Sequence, residues 1–231
     1  MRFRTLQMVE GARNARGLTV IIDVFRAFTV EAYLIHNGAE RLYPVGDMNI
    51  AYAMKKEDPS CVLVGERHGK ILPGFDFGNS PSQIKPVDFT GKTVVHTTSA
   101  GTQGIANAVQ ADEILTGSLV NAGAVARYIR RKQPEEVSLV CMGLECVSPT
   151  EEDDLCAAYI QALAERGGMP DLQEKIDRLR HTSGKKFFDP AQQDVFPEAD
   201  FHLSTQCDRF DFVLRVHPEK DGLYRVEKIV V

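Results

Sequence analysis

The chain has 231 residues, 43% of them hydrophobic, and a formal net charge of −5. That length can bury a substantial core and fits one domain, with room for two lobes. No basic patch that would follow nucleic-acid phosphates is present, and no apolar run approaches the roughly 20 residues of a membrane helix.

The opening stretch, 1–17, lacks the uninterrupted apolar core of a signal peptide, so the protein is expected in the cytoplasm. Strand and helix patterns then alternate. LTVIIDVF (18–25) reads as a strand, and 28–38 as a helix closed by Gly38. A strand over 40–46 leads to a helix over 47–57 with Asp47 as its N-cap. CVLVG (61–65) is a short buried strand, followed by a long Gly/Pro-rich loop from Glu66 to about Pro86. Strands at 92–98, 112–117 and 135–143 alternate with helices at 100–110, 120–132 and 149–166. Beyond about residue 170 the pattern changes to a charged helix (171–180), a loop segment, and two strands (209–216 and 223–231) joined as a hairpin. Near-continuous apolar strands between helices predict a three-layer α/β/α fold. Its sheet is largely parallel but mixed, with a C-terminal β-hairpin.

Five cysteines, at 61, 141, 146, 156 and 207, are odd in number and include no CxxC pair. They indicate neither a disulfide framework nor a zinc ribbon, and are read as buried thiols.

Ligands of parallel α/β sheets bind beyond the carboxyl ends of the strands, so the residues there matter most. Asp23 ends the first of these strands and could hold a hard cation or attack phosphorus, while Arg26 could grip an oxyanion with its planar fork. In the 66–86 loop, Glu66 is a possible metal ligand and Arg67 a possible anion ligand, with Asn79 further along. Thr97, Thr98, Ser99, Gly101 and Thr102 stand where a strand meets a helix, which suits either an anion cradle or a multiply capped helix. Ser118 and Asn121 repeat this pattern and read equally well as caps. Glu151 to Asp154 put four carboxylates in one helical turn, more than capping needs, and oxygen-only ligands favour magnesium over zinc.

Five stretches, in order over about residues 18 to 216, resemble the motifs of the 2-phosphosulfolactate phosphatase family: VIIDVFRAFTVEA, GERHGKILPGFDFGNSP, TTSAGTQ, EEDDLCAA and CDRFDFVLRV. The chain departs from the family pattern at Phe28, Val30, His68, Ala100 and Ala158. The resemblance implies magnesium-dependent hydrolysis of (R)-2-phospho-3-sulfolactate to sulfolactate and phosphate, which in methanogens serves coenzyme M synthesis. It also implies a homodimer. On this resemblance Asp23, Glu66, Glu152 and Asp153 are metal ligands, with Asp23, Glu66 and Asp153 as acid–base candidates. Arg26, Arg67 and the Thr97–Thr102 loop would bind phosphate, and Arg26 or Arg209 the sulfonate or carboxylate.

Other phosphatase chemistries fit less well. Asp23 lacks the second Asp two residues on that haloacid-dehalogenase-type enzymes need. Cys61 and Arg67 match a Cys-x5-Arg count, but a buried strand separates them. Arg67-His68-Gly69 resembles a histidine-phosphatase motif whose second arginine is Ile71 here. A phosphatase for another phosphorylated hydroxy acid, or a noncatalytic binder of small anions, are the alternatives.

Overall fold

The computed structural model describes residues 1–231, all but the side chain of Asp221. The chain opens with β1 (Arg2–Gln7), α1 (Met8–Asn14), β2 (Leu18–Ile22), α2 (Ala27–His36), β3 (Arg41–Pro44) and α3 (Met48–Glu57). The next elements are β4 (Val62–Arg67), β5 (Lys70–Ile71), α4 (Pro81–Ile84), β6 (Thr93–Thr97), α5 (Gly101–Asn107) and β7 (Glu113–Gly117). Then come α6 (Ala122–Lys132), β8 (Glu136–Cys141), α7 (Glu151–Arg166), α8 (Leu172–Leu179), α9 (Glu198–Ser204), β9 (Phe212–Pro218) and β10 (Tyr224–Val230).

The strands form two sheets. Six make one, in the order β1-β8-β2-β7-β9-β10, and four make the other, in the order β3-β6-β4-β5. The first sheet is parallel from β1 to β7 and antiparallel where β9 joins β7 and β10 joins β9. The mixed α/β architecture and the C-terminal antiparallel pair are as expected. The division into two sheets was not predicted, because pattern reading finds strands but not the sheet they join. β1 and α1 were also missed: in β1 the adjacent Arg4 and Thr5 break the polar–apolar alternation, on an edge strand that is only partly buried, and so give a weak signal.

Burial explains the continuous apolar strands. All five residues of β2 are buried. Val20 and Ile22 face a core shared with α6 and α7, where they meet Val125, Ile129 and Ile160. Ile21 points the other way, toward Phe28, Ile105 and Met142. Side chains alternate across a strand, so a two-sided core needs apolar residues at every position. A third cluster lies between the sheets and joins Leu42, Val64 and Val94 to Leu34, Phe212 and Leu214. Each such side chain contributes about 1.5–3 kcal/mol on burial. Leu115 lies fully buried in β7, in the middle of the larger sheet. Leu115→Ala should therefore destabilise the protein by about 2–5 kcal/mol in urea unfolding. A loss below about 1 kcal/mol would show that the site can collapse around the deletion.

Candidate functional site

The ends of parallel strands from both sheets face one cavity of about 320 Å³. Asp23 and Arg26 follow β2, Gly143 to Glu145 follow β8, and Thr98 to Ala100 follow β6. Glu66 lies near the end of β4, with His68, Gly69 and Asn79 in the loop beyond it. Lys186 and Phe196 complete the lining from the segment between α8 and α9.

Buried carboxylates organise this cavity through backbone N–H groups. Asp153, in the first turn of α7, accepts from Val24 N at 2.8 Å and from Gly143 N at 2.9 Å. It ties together the chain segments that leave β2 and β8. Glu66 accepts from Ser99 N and Gly69 N, both at 2.7 Å, and from the Ser99 hydroxyl at 3.2 Å. It joins the β4 loop to the β6 loop. Asp23 accepts from Ala27 N at 3.1 Å. A Cβ on Gly101 would lie 2.9 Å from Asp23 Oδ2 and 2.8 Å from the Ala27 side chain, so only glycine brings this turn so close.

Gathering these charges is costly. Burial pushes Asp23 up to about 7, aided by the negative charges of Glu66 and Glu152 and opposed by the N–H groups of Ala27 and Gly101. Burial also raises Asp153 well above the usual carboxylate range, with Glu152 and Asp23 adding to the effect. Glu152 rises through burial, with Lys186 and the Ser183 and Thr150 hydroxyls acting the other way. Neither hydroxyl closes a hydrogen bond of normal geometry, and Glu152 Oε2, Thr150 Oγ1 and Ser183 Oγ are all buried without a partner.

Two cations share the cavity with these acids. Arg26 is buried, donates to Asp200 Oδ2 at 2.7 Å and to Val195 O at 2.9 Å, and lies 5.0 Å from the Phe196 ring centroid. Asp200 is fully used, since it also accepts from Ser80 Oγ and Ser82 N at 2.9 Å. Lys186 reaches into the cavity over Phe196, 5.0 Å from the ring centroid. Burial lowers its pKa and Arg26 adds to this, while Glu152, Asp23 and Asp153 pull it back up. Sequence reading missed Lys186 because no strand precedes it. The only available signal is the run Lys185-Lys186-Phe187-Phe188, a basic pair beside an aromatic pair.

Of the residues singled out from the sequence, Asp23, Arg26, Glu66, Asn79, Thr98 and Ser99 line the cavity, and Glu152 and Asp153 stand behind it. Others do not reach it. Arg67 turns away and donates to Glu66 O, Gly46 O and Thr97 Oγ1. Ser118 and Asn121 form a buried capping box before α6, and Ser118 also bonds Thr29. Arg209 is not among the lining residues, and its guanidinium lies over Phe210, 6.0 Å from the ring centroid. The expected hydroxyl cradle is largely a self-capped turn: Thr102 Oγ1 accepts from Thr98 N, and Thr98 Oγ1 from Thr102 N. Thr97 and Ser99 direct their hydroxyls to Arg67 and Glu66.

The four carboxylates read as metal ligands are likewise not one cage. Among the described residues, no three His, Cys, Asp or Glu side chains converge at ion-binding distance. Glu66 and Asp153 each commit both oxygens to backbone N–H groups. The orphaned Glu152 Oε2 and the repulsion between Asp23 and Glu152 nevertheless fit a hard dication, because magnesium is usually held by one or two carboxylates with water and phosphate completing its shell.

The raised pKa of Asp23 has a consequence for stability. Asp23 ionises near 3.8 when unfolded and near 7 when folded, so between these values only the folded state holds the proton. Its contribution is full below the lower value and is lost as pH rises through the higher one. In EDTA, Asp23→Asn should therefore melt at a higher temperature than the parent at about pH 8, with the advantage shrinking toward about pH 5. An equal shift at both pH values would show that Asp23 is not strained by its charge.

The family model for 2-phosphosulpholactate phosphatase matches residues 4–217. A probable 2-phosphosulfolactate phosphatase of Bacillus subtilis is 29% identical over 217 residues, covering 93% of this chain and 92% of the relative. A protein of the same description from Caldicellulosiruptor saccharolyticus is 37% identical over 172 residues, 73% of this chain and 71% of the relative. One from Carboxydothermus hydrogenoformans is 36% identical over 167 residues, 72% and 69% of the two chains. With strand-end carboxylates and cations gathered in one cavity, and a match over nearly its whole length, the chain belongs to the 2-phosphosulfolactate phosphatase family.

Proposed function

We propose that the protein hydrolyses the phosphate ester of (R)-2-phospho-3-sulfolactate, with magnesium, to 3-sulfolactate and phosphate. The observation that carries this reading is the gathering of Asp23, Arg26 and Lys186 on one cavity, with Glu152 behind its wall. The substrate carries phosphate, sulfonate and carboxylate, so a site for it needs several cations and a place for a dication.

Asp23 and Glu152 would hold the magnesium ion. When bound, it would neutralise charge on the phosphoryl oxygens and make water a better nucleophile. Lys186 Nζ and the free edge of the Arg26 guanidinium meet the substrate's oxyanions. Asp200 sets the orientation of that guanidinium. Asp153 and Glu66 keep the strand ends in register through their N–H partners. Phe25 and Phe196 on the cavity wall limit water around the phosphate, which strengthens these electrostatic contacts. No helix among the described residues is long and apolar enough to cross a membrane. The reading includes a cytoplasmic protein acting as a homodimer, which light scattering would test.

Phosphate release should be selective for phosphosulfolactate over other phosphorylated hydroxy acids, present with magnesium and lost in EDTA. Turnover indifferent to EDTA would refute the metal role, and binding without turnover would favour an anion-binding protein. Lys186→Met should lower kcat/KM by about 10²-fold or more, as expected for removal of a group that faces transition-state charge. His68 is exposed at the rim, its Nδ1 2.9 Å from Glu145 Oε1. His68→Ala should leave most turnover, and its complete loss would favour a histidine-phosphatase mechanism instead.

A further inference from the structure

Behind the cavity wall lies a polar chain that the reaction outlined above does not use. Glu31 in α2 and His96 in β6 are both fully buried, with His96 Nδ1 3.0 Å from Glu31 Oε1. The other ring nitrogen, His96 Nε2, lies 3.4 Å from Asn79 Oδ1. Asn79 is itself buried and lines the cavity. Its backbone is held from the next residue, because Ser80 Oγ donates to the buried Asp200.

We propose that Glu31 and His96 are positioning residues that turn the Asn79 amide so that its N–H₂ group faces the cavity and donates to an oxygen of the phosphorylated substrate. The inference rests on the function proposed above. An amide has an acceptor end and a donor end, and its neighbours decide which end faces the ligand. Here the oxygen faces His96 Nε2, which requires a proton on that nitrogen. The ring's other nitrogen is engaged by Glu31, so a proton on Nε2 requires that the pair hold two protons, either as an imidazolium facing a carboxylate or with the Glu31 carboxyl donating to Nδ1, and in either form the pair fixes the tilt of the ring and its hydrogen-bonding sense. Reversed, the amide would present its oxygen to an anion and repel it. Among the described residues no protein group takes Asn79 Nδ2, which leaves that donor for a ligand.

The energetics favour a functional reading of the pair. Glu31 Oε2 is buried without a partner. A buried pair with an unsatisfied oxygen is a poor way to stabilise a core, and apolar residues of the same volume would generally serve better. His96 also stands opposite Val64 and two residues along β6 from Val94, both members of the apolar core between the sheets.

The test combines kinetics with a spectroscopic signature of the wild-type protein. Nitrogen NMR of the folded protein, with ¹⁵N-labelled histidine, should show a proton on His96 Nε2. In kinetics, Asn79→Asp, which keeps the shape but loses the donor, should lower kcat/KM by about 10²-fold. His96→Leu should lower it about tenfold or more, and His96→Gln, which keeps an N–H near the Nε2 position, should recover much of that loss. In an Asn79→Ala background, His96→Leu should cost little more, because its effect passes through the amide. A proton-free Nε2 would overturn the proposal, as would fully additive losses or an Asn79→Asp variant with unchanged kcat/KM. If His96→Leu fails to fold, the NMR signature and Asn79→Asp still decide. If the wild-type protein releases no phosphate, the proposed function fails, while the NMR result still tests the hydrogen-bond chain.

Discussion

The structure depends above all on one buried carboxylate. Asp153 bonds the backbone of Val24 and Gly143 with its two oxygens, so the chain leaving β2 and the chain leaving β8 are set by a single side chain from α7. Both N–H groups lie just past the last ladder positions of their strands, where neither can be satisfied by the sheet. The same contact places Asp23 one residue from one anchor and Leu144 one residue from the other. The loops around the cavity therefore inherit the rigidity of the parallel sheet. The cost is electrostatic: Asp153, Glu152 and Asp23 all hold their protons more tightly than ordinary carboxylates. Such a cluster trades stability for a site whose repulsion a bound cation would relieve.

Glu66 does the same work in the smaller sheet, and Asp200 does it for the C-terminal segment. Asp200 accepts from Arg26, Ser80 and Ser82, and so links α9 to the residue before α2 and to the start of α4. Three separate parts of the chain, each with its own acid bound to donors from elsewhere, meet at one cavity. Around Arg26 the packing is aromatic, with Phe25, Phe187 and Phe201 in edge or tilted contact. A charged fork thus sits in apolar walls with its partner fixed, which is the arrangement that makes an oxyanion contact strong.

Much of this was legible in the sequence. Asp23, Arg26, Glu66 and Asn79, which line the cavity, were singled out because ligands of parallel sheets sit just past strand ends, and both strands and ends show in the apolar pattern. Thr98, Ser118 and Asn121 illustrate the limit of that rule. The residues that bind anions at a helix start are also those that cap it, and the choice depends on whether their hydroxyls are already engaged. Arg67 could not be placed because neighbours along a strand point to opposite faces, and the turn at His68 and Gly69 decides which way each goes. Lys186 was invisible since a site residue on an irregular segment has no period to betray it. The Glu31–His96 pair was hidden for another reason: Glu31 is the one acid in α2 and His96 the one ionisable residue in β6, and only the fold brings them together.

Two walls of the cavity come from the strand ends of the two sheets, and Lys186 and Phe196 close it from the segment between α8 and α9. The spacing of those two walls follows from the contacts between the sheets, where Leu34, Leu42 and Val94 join one core with Phe212 and Leu214. In such an arrangement the interior works as a calliper. A change of one methylene between the sheets alters the spacing of acids and cations several residues away. Variants of this family could therefore retune the fit of a longer or shorter acid by repacking the hinge between their sheets, leaving every polar group at the cavity unchanged.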